Sequence, residues 1–247
     1  MKPKKIRLDL LLVERGLAES RTRAQAIILA GDVVVGEQRV DKPGTLVARE
    51  ASLRLKGEAM PFVSRGGQKL QAALDHFQLD VAGRVCADIG ASTGGFTDCL
   101  LQRGAAKVYA IDVGYGQLHE RLRGDPRVVS RERVNARHLT EAELPEPVGV
   151  LVADVSFISL RLVLPAVLLR LAPGGLLVAL VKPQFEAGPD KVEKGGVVRD
   201  PEARRAAIEA VRAFVLGQGL AVAGVIDSPI AGPAGNVEAL LVATKPA

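Results

Sequence analysis

The sequence predicts an α/β protein in two parts: a small α+β domain over residues 1–60 and, after a linker at 61–67, a domain with a seven-stranded, mainly parallel sheet over 68–247. Three observations carry this. From about residue 68, apolar runs of strand length alternate with helical stretches, the pattern of strands joined by crossover helices. Those runs are nearly continuous, as befits strands buried on both faces. Before residue 60 a helical period gives way to short alternating segments, so the first domain has its own mixed architecture.

In chain order, Leu8, Leu11 and Leu12 have helical spacing before Gly16, and Ser20 can cap a second helix carrying Ala24, Ile27 and Ile28, which Gly31 ends. "DVVVGEQRV" reads as two strands around a Gly-containing turn, and "SLRL" at 52–55 as a half-buried strand. The stretch "KGEAMPFVSRGG", with Pro61 and the Gly66-Gly67 pair, reads as the linker. The expected strands of the second domain are "RVCADI", "KVYAID", "RVVS", "VGVLVADV", "GGLLVALVKP", "LAVAGVIDSP" and "VEALLVATKP". Only "IAGPAGN" separates the last two, too short for a crossover helix, so the final strand is expected to run antiparallel to its neighbour. The whole is a Rossmann-like sheet.

Composition narrows the function classes. The 247 residues are 48% hydrophobic, ample for a buried core. The two cysteines, Cys86 and Cys99, fall in a strand and the helix after it, where buried thiols and a reducing, cytoplasmic compartment are expected. Asp9 and Glu14 interrupt the apolar run of "MKPKKIRLDLLLVERG", which argues against a signal peptide. "VLPAVLLRLAPGGLLVALV" contains Arg170, Pro173 and a Gly-Gly turn, so it breaks into a helix and a strand and no membrane span is expected. Of the net +5 charge, residues 1–60 hold 12 Lys and Arg against 8 Asp and Glu, a net +4, which suggests a polyanion partner for the first domain, with a solvated basic face as the alternative.

The loop "DIGASTGGFTD", Asp88 to Asp98, turns the first strand of the large sheet into a helix. It lacks the Lys-Ser/Thr of a phosphate-binding loop, and its glycines at 90, 94 and 95 do not match the dinucleotide fingerprint, which counts against NAD. Glycines there would let backbone approach a ligand closely, and Ser92 and Thr93 offer hydroxyls. Asp112, ending the second strand, can accept hydrogen bonds from ribose hydroxyls; a turn aspartate is the bland alternative. "DIGASTGGFTD" with "AID" resembles the motifs of S-adenosylmethionine-dependent methyltransferases. That resemblance implies S-adenosylmethionine as cofactor, held by Asp88, Gly90, Ser92, Gly94, Gly95 and Asp112, with no metal.

The fourth strand ends "ADVSFIS", without the prolines of an amino-methylating enzyme, and neither cysteine stands where a cytosine carbon-5 methyltransferase needs its nucleophile. What does stand at apolar strand ends is Asp154, Lys182 and Glu238, with Lys69 on the helix before the first strand. Parallel strands place Asp154 and Lys182 at one rim, and the reversed last strand brings Glu238 to the same rim. Each alone has a bland reading as a solvated rim charge. In order, Lys, Asp, Lys, Glu resembles the catalytic tetrad of the FtsJ family of RNA 2′-O-methyltransferases. A ribose hydroxyl is weakly acidic, so an amine must accept its proton; a neighbouring lysine favours the neutral amine and the carboxylates can orient it. By that resemblance Lys182 is the base, while the sequence alone leaves Lys69 open.

"RLDLLLVERGLAESRTRAQAIILAGDVVV" resembles an S4 domain, a module that binds structured RNA. "SRGGQKL", "ADVSFISL", "LVKPQFEAG", "KGGVVRD" and "SPIAGPAGNVEAL" then resemble, in order, the TlyA family of ribosomal RNA 2′-O-methyltransferases. The resemblance implies methylation of cytidine ribose in 16S or 23S ribosomal RNA or both, within ribosomal subunits, with no membrane and no obligate protein partner. Arg7, Arg21, Arg23 and Arg65 are the expected RNA contacts, a solvated helix charge being the alternative for the first three. "FEAGPDKVEKGGVVRD" reads as a mobile substrate lid with Lys191, Lys194 and Arg199, or as disorder. With 3% aromatics and no Trp, recognition of folded RNA by shape and backbone is expected over base stacking. Two rival readings are a ribosome-assembly factor that binds RNA without catalysis, and a membrane-active protein, since members of the resembled family have been called haemolysins.

Overall fold

The computed structural model describes residues 5–55, 61–232 and 234–247; the expected join between first domain and linker, at residue 60, lies outside the described residues. The chain divides into two compact units, Met1–Ala59 and Met60–Ala247. The first contains β1 (Lys5–Arg7), α1 (Leu8–Glu14), α2 (Arg21–Leu29), β2 (Val33–Val35), β3 (Gln38–Arg39), β4 (Leu46–Ala48) and β5 (Leu53–Leu55). Leu8, Leu11 and Leu12 of α1 pack on Ala24 and Ile28 of α2 and on Val33 and Val47. Ser20 accepts from the Arg23 amide at 3.2 Å and so caps α2. β3-β2-β5 form one antiparallel sheet, and β1 pairs with β4. The β1–β4 pair was not expected: three-residue strands are too short to display a period.

Asp9 organises this unit. Its buried carboxylate accepts from Arg7 Nε (3.0 Å) and Nη2 (2.9 Å), Arg21 Nε (3.0 Å) and Gln25 Nε2 (3.0 Å). The hydrogen bonds from Arg7 hold the Asp9 carboxyl well below the usual carboxylate range, against the opposing effect of burial and with help from Gln25 and Arg21. Two of the three arginines read as phosphate contacts, Arg7 and Arg21, are therefore held by Asp9 along one edge, although their side chains stay 41% and 54% exposed.

The second unit comprises α3 (Gly66–His76), β6 (Val85–Ile89), α4 (Gly95–Gln102), β7 (Lys107–Ile111), α5 (Glu120–Arg123), β8 (Val128–Arg131), β9 (Val148–Ala153), α6 (Leu160–Leu168), β10 (Leu171–Val181), α7 (Pro183–Glu186), α8 (Pro201–Gly217), β11 (Ala221–Asp227) and β12 (Ala239–Thr244). Seven strands form one sheet in the order β11-β12-β10-β9-β6-β7-β8. Neighbours from β10 to β8 are parallel, and β12 runs antiparallel to both β10 and β11, as the short last connection requires. Alternate residues serve two cores. Ala87, Ile89, Leu151 and Leu241 join Val163 of α6 and Val211 of α8 on one face. Cys86, Val150 and Val152 join Leu70 of α3 and Leu100 of α4 on the other. Burial pushes both thiols, Cys86 and Cys99, up to about 12, which leaves them inert.

Two details differ from expectation. β10 begins at Leu171, three residues before the expected strand, so Pro173 lies within it and the register against β9 shifts between Leu171 and Leu176. Residues read as linker also pack: Phe62 is buried, the Val63 amide donates to Asp98 Oδ2 at 2.8 Å, and α3 begins at Gly66. Among the described residues no helix is long and apolar enough to cross a membrane.

Because the Asp9 carboxyl is held low, its contribution to stability is present above the usual carboxylate range and is lost as pH falls toward its depressed value. Asp9→Ala should destabilise the first unit by about 1–3 kcal/mol at neutral pH, with the difference from the parent chain shrinking in acid; thermal melts at two pH values check this.

Candidate active site

Three strand ends meet at one rim. Asp154 directly follows β9 and Lys182 directly follows β10, while Glu238 directly precedes the reversed β12. Val181 pairs with Ala239, so Lys182 and Glu238 flank the same rung. Lys69, on the first turn of α3, reaches this rim from the side: its Nζ lies 2.5 Å from Glu238 Oε2, with the two side chains only 8% and 1% exposed. Lys182 Nζ lies 2.6 Å from Asp154 Oδ1 and donates to Ser156 Oγ at 2.7 Å. The Lys182–Asp154 contact is an ion pair without hydrogen-bond angles, so Oδ1 is buried with no directional donor. All four residues picked from the sequence thus stand together, as two lysine–carboxylate pairs.

Beside them runs the β6–α4 loop. Asp88 Oδ2 accepts from the Thr97 amide (2.9 Å) and hydroxyl (2.7 Å), and Oδ1 is buried without a partner. Burial pushes the Asp88 carboxyl up to about 7; Thr97 opposes the rise, and the nearby carboxylates of Asp154 and Asp112 add to it. Asp112 ties the loops together, accepting from the Ser92 amide through Oδ2 and the Gly114 amide through Oδ1, both at 2.7 Å. A shallow, solvent-open cleft is lined by Ala91, Ser92, Asp112, Gly114, Gln117 and Glu132, among others.

The loop glycines serve the protein's own packing. A Cβ on Gly90 would lie 2.6 Å from the Asp154 carbonyl oxygen, so this glycine lets the β6 and β9 loops touch. One on Gly95 would meet Ser64 Oγ and come within 2.9 Å of the Gly67 amide, so it lets α3 seat against α4 and deliver Lys69. Gly94 is the N-cap of α4. Arg65, the residue before α3, is partly buried, four positions ahead of Lys69, and Arg23 is exposed on α2.

Several residues here escaped the sequence reading. Phe157 is 92% exposed, holds a left-handed φ of +64°, and sits 5.4 Å from the Phe185 ring at a 50° tilt. Ser92 and Arg133 are likewise left-handed in loops at the carboxyl ends of strands, while Gln78, the other left-handed residue besides glycine among the described residues, lies just after α3. Buried Glu186 accepts from Ser159 Oγ and the Leu160 amide, both at 2.6 Å. Buried Asn236 donates to the Gly196 carbonyl at 2.8 Å and accepts from the Val198 amide at 2.9 Å. The segment read as a mobile lid is therefore anchored: Glu193 and Val197 bridge, and Asn236 fastens them to the loop that carries Glu238. Position beside a strand-end charge was the available signal for Ser156 and Asn236; nothing marked Glu186.

The chain is similar to known proteins along nearly its whole length. The FtsJ-like methyltransferase family matches residues 62–245 and the S4 domain matches residues 6–52. The chain is 50% identical over 245 residues to YqxC of Bacillus subtilis, described as a candidate rRNA methyltransferase, covering 98% of this chain and 86% of that one. It is 48% identical over 239 residues to the 16S/23S rRNA (cytidine-2′-O)-methyltransferase TlyA of Mycobacterium tuberculosis, covering 96% and 89%. A solved structure described as a candidate hemolysin from Streptococcus thermophilus superposes with a TM-score of 0.77 at 45% identity, covering 99% and 90%.

With its carboxyl raised to about 7, Asp88 contributes stability that is present in acid and lost as pH rises through that value. Asp88→Asn keeps an acceptor for Thr97, so its melting temperature should exceed the parent's at pH 8 by more than at pH 5; an equal difference at both values would contradict the burial argument.

Proposed function

The chain belongs to the TlyA family of FtsJ-like methyltransferases, and on that premise we propose that it transfers a methyl group from S-adenosylmethionine to the ribose 2′-oxygen of cytidine in ribosomal RNA, of 16S, 23S or both. The observation that carries the reading is the pair of ion pairs, Lys69–Glu238 and Lys182–Asp154, buried at one rim. A protein that only bound RNA during ribosome assembly would gain nothing from burying Lys69, Lys182 and Glu238 there, with Asp154 at the edge.

The cleft residues fit the cofactor. Asp112 at its wall has lone pairs left for ribose hydroxyls, Ser92 offers a hydroxyl, and Asp88 Oδ1 is a buried acceptor lacking a donor. Gly90, Gly94 and Gly95 complete the loop that would hold it. Bound there, S-adenosylmethionine supplies an electrophilic methyl group. Once its ammonium has released a proton to solvent, Lys182 Nζ accepts the proton of the ribose 2′-hydroxyl, which makes that oxygen nucleophilic, and the Asp154 carboxylate balances the ammonium that re-forms. Lys69, hydrogen-bonded to Glu238 at 2.5 Å, holds the far side of the rim. Asp154 orients Lys182, and Gly90 seats the Asp154 backbone against the cofactor loop.

We take residues 1–60 as the S4 domain that docks folded RNA and 68–247 as the catalytic domain, joined through 61–67, in a protein working in the cytoplasm on ribosomal subunits. Arg23 and Arg65 are the assigned phosphate contacts, with Arg7 and Arg21 adding the edges that Asp9 does not occupy. Phe157, exposed beside the rim and backed by Phe185, offers a face on which the target base can stack.

Lys182→Ala should lower methyl transfer by roughly 10²–10⁴-fold while leaving S-adenosylmethionine affinity close to the parent's, as read by labelled transfer and calorimetry; full activity would remove Lys182 as the base. Removing residues 1–60 should weaken RNA binding far more than cofactor binding, and an unchanged RNA affinity in filter binding would refute the docking role.

A further inference from the structure

We propose that Ser156 is a positioning residue for Lys182: its hydroxyl takes one hydrogen of Nζ and so fixes where the remaining valence of the amine points. The inference rests on Lys182 being the base of the proposed reaction.

A neutral lysine amine has two hydrogens and one lone pair in a tetrahedral arrangement, and only the lone pair can accept the ribose proton. Two acceptors flank Lys182 Nζ, Asp154 Oδ1 at 2.6 Å and Ser156 Oγ at 2.7 Å. Ser156 Oγ takes one hydrogen along a hydrogen bond and the Asp154 carboxylate draws the amine toward its own side by charge, so the lone pair is left one open direction. Asp154 alone would not achieve this, because its contact lacks hydrogen-bond angles and a lysine stem keeps its rotamer freedom around one anchor. The directional bond to Nζ comes from Ser156.

The loop that carries Ser156 is fixed to the elements around Lys182. At its start, the Asp154 amide donates to the Ile89 carbonyl at 2.9 Å, and the Asp154 carbonyl rests where a Gly90 Cβ would be. At its end, Ser159 Oγ and the Leu160 amide both donate to Glu186, a buried carboxylate on the helical turn that directly follows Lys182. Between these anchors, Phe157 adopts its left-handed φ of +64° immediately after Ser156. Backbone strain of this kind persists where the surroundings over-determine the conformation. Ser156 is itself exposed, so its hydroxyl contributes little to packing and its bond to Lys182 is the role left to explain.

Ser156→Ala, Ser156→Thr and Lys182→Ala would be assayed on unmodified ribosomal subunits, with kcat, KM for RNA, KM for S-adenosylmethionine and melting temperature measured for each. Ser156→Ala should melt with the parent, keep both KM values and lose about ten- to a hundredfold in kcat, the cost of a misdirected group. Ser156→Thr, which keeps the hydroxyl, should recover most of that loss. A parental kcat for Ser156→Ala, a loss confined to KM, or a threonine variant no better than alanine would each overturn the proposal. If Lys182→Ala is fully active, the assignment of the base has failed; if it is inactive while Ser156→Ala is normal, only the positioning role has.

Discussion

Burying an ammonium group costs several kcal/mol unless a carboxylate lies against it, and this chain buries two at one end of a sheet. Lys69 meets Glu238 and Lys182 meets Asp154, each pair closer than 3 Å. The topology exists in a form that makes this possible. If β12 ran parallel to β10, Glu238 would precede a strand that starts at the opposite rim, and Lys69 would be buried with no counter-charge. The reversed final strand, the seating of α3 on α4 through Gly95 and the contact of the β6 and β9 loops at Gly90 are all conditions for the same two ion pairs. A charge pair so confined is also oriented, which is what proton transfer from a weakly acidic hydroxyl requires.

The surrounding loops are held by polar side chains that each satisfy two partners, Glu186 and Asn236 buried and Asp112 partly so. Asp112 joins the loops after β6 and β7, Glu186 joins the turn after β10 to the start of α6, and Asn236 joins the hairpin at 193–197 to the approach to β12. Removing Glu186 or Asn236 would strand a buried amide, that of Leu160 or of Val198. The site is therefore a set of tied loops on a rigid sheet, which suits a reaction whose catalysis depends on alignment. In the first unit Asp9 has the same office, gathering Arg7, Arg21 and Gln25 around one carboxylate while leaving the arginines partly open to solvent.

Much of this was legible in the chain. The apolar runs of β6, β7, β9, β10 and β12 mark strands buried on both faces, β8 and β11 are the less buried edges, and the short "IAGPAGN" connection dictates the reversal of the last strand. Asp154, Lys182 and Glu238 stand out because charges at the ends of apolar strands are conspicuous, and Lys69, on a helix, joins them through the resemblance to the tetrad. What the pattern could not show depends on tertiary contact. β1 and β4 are three residues each and carry no period. The glycines at 90 and 95 look like ligand-facing residues in one dimension, and only the fold reveals Asp154, Ser64 and Gly67 against them. Ser156, Glu186 and Asn236 are ordinary polar residues whose roles come from where they lie, and Arg7 and Arg21 look free until Asp9 is seen between them.

The most direct test is to incubate the protein with labelled S-adenosylmethionine and separated, unmodified ribosomal subunits, then digest the RNA and identify the labelled nucleoside by mass spectrometry. Label in 2′-O-methylcytidine is the expected result, because the rim offers a proton acceptor for a hydroxyl and no nucleophile for a base carbon. Label on a base, or no transfer to either subunit while the cofactor binds, would contradict the assignment of the two ion pairs to ribose methylation.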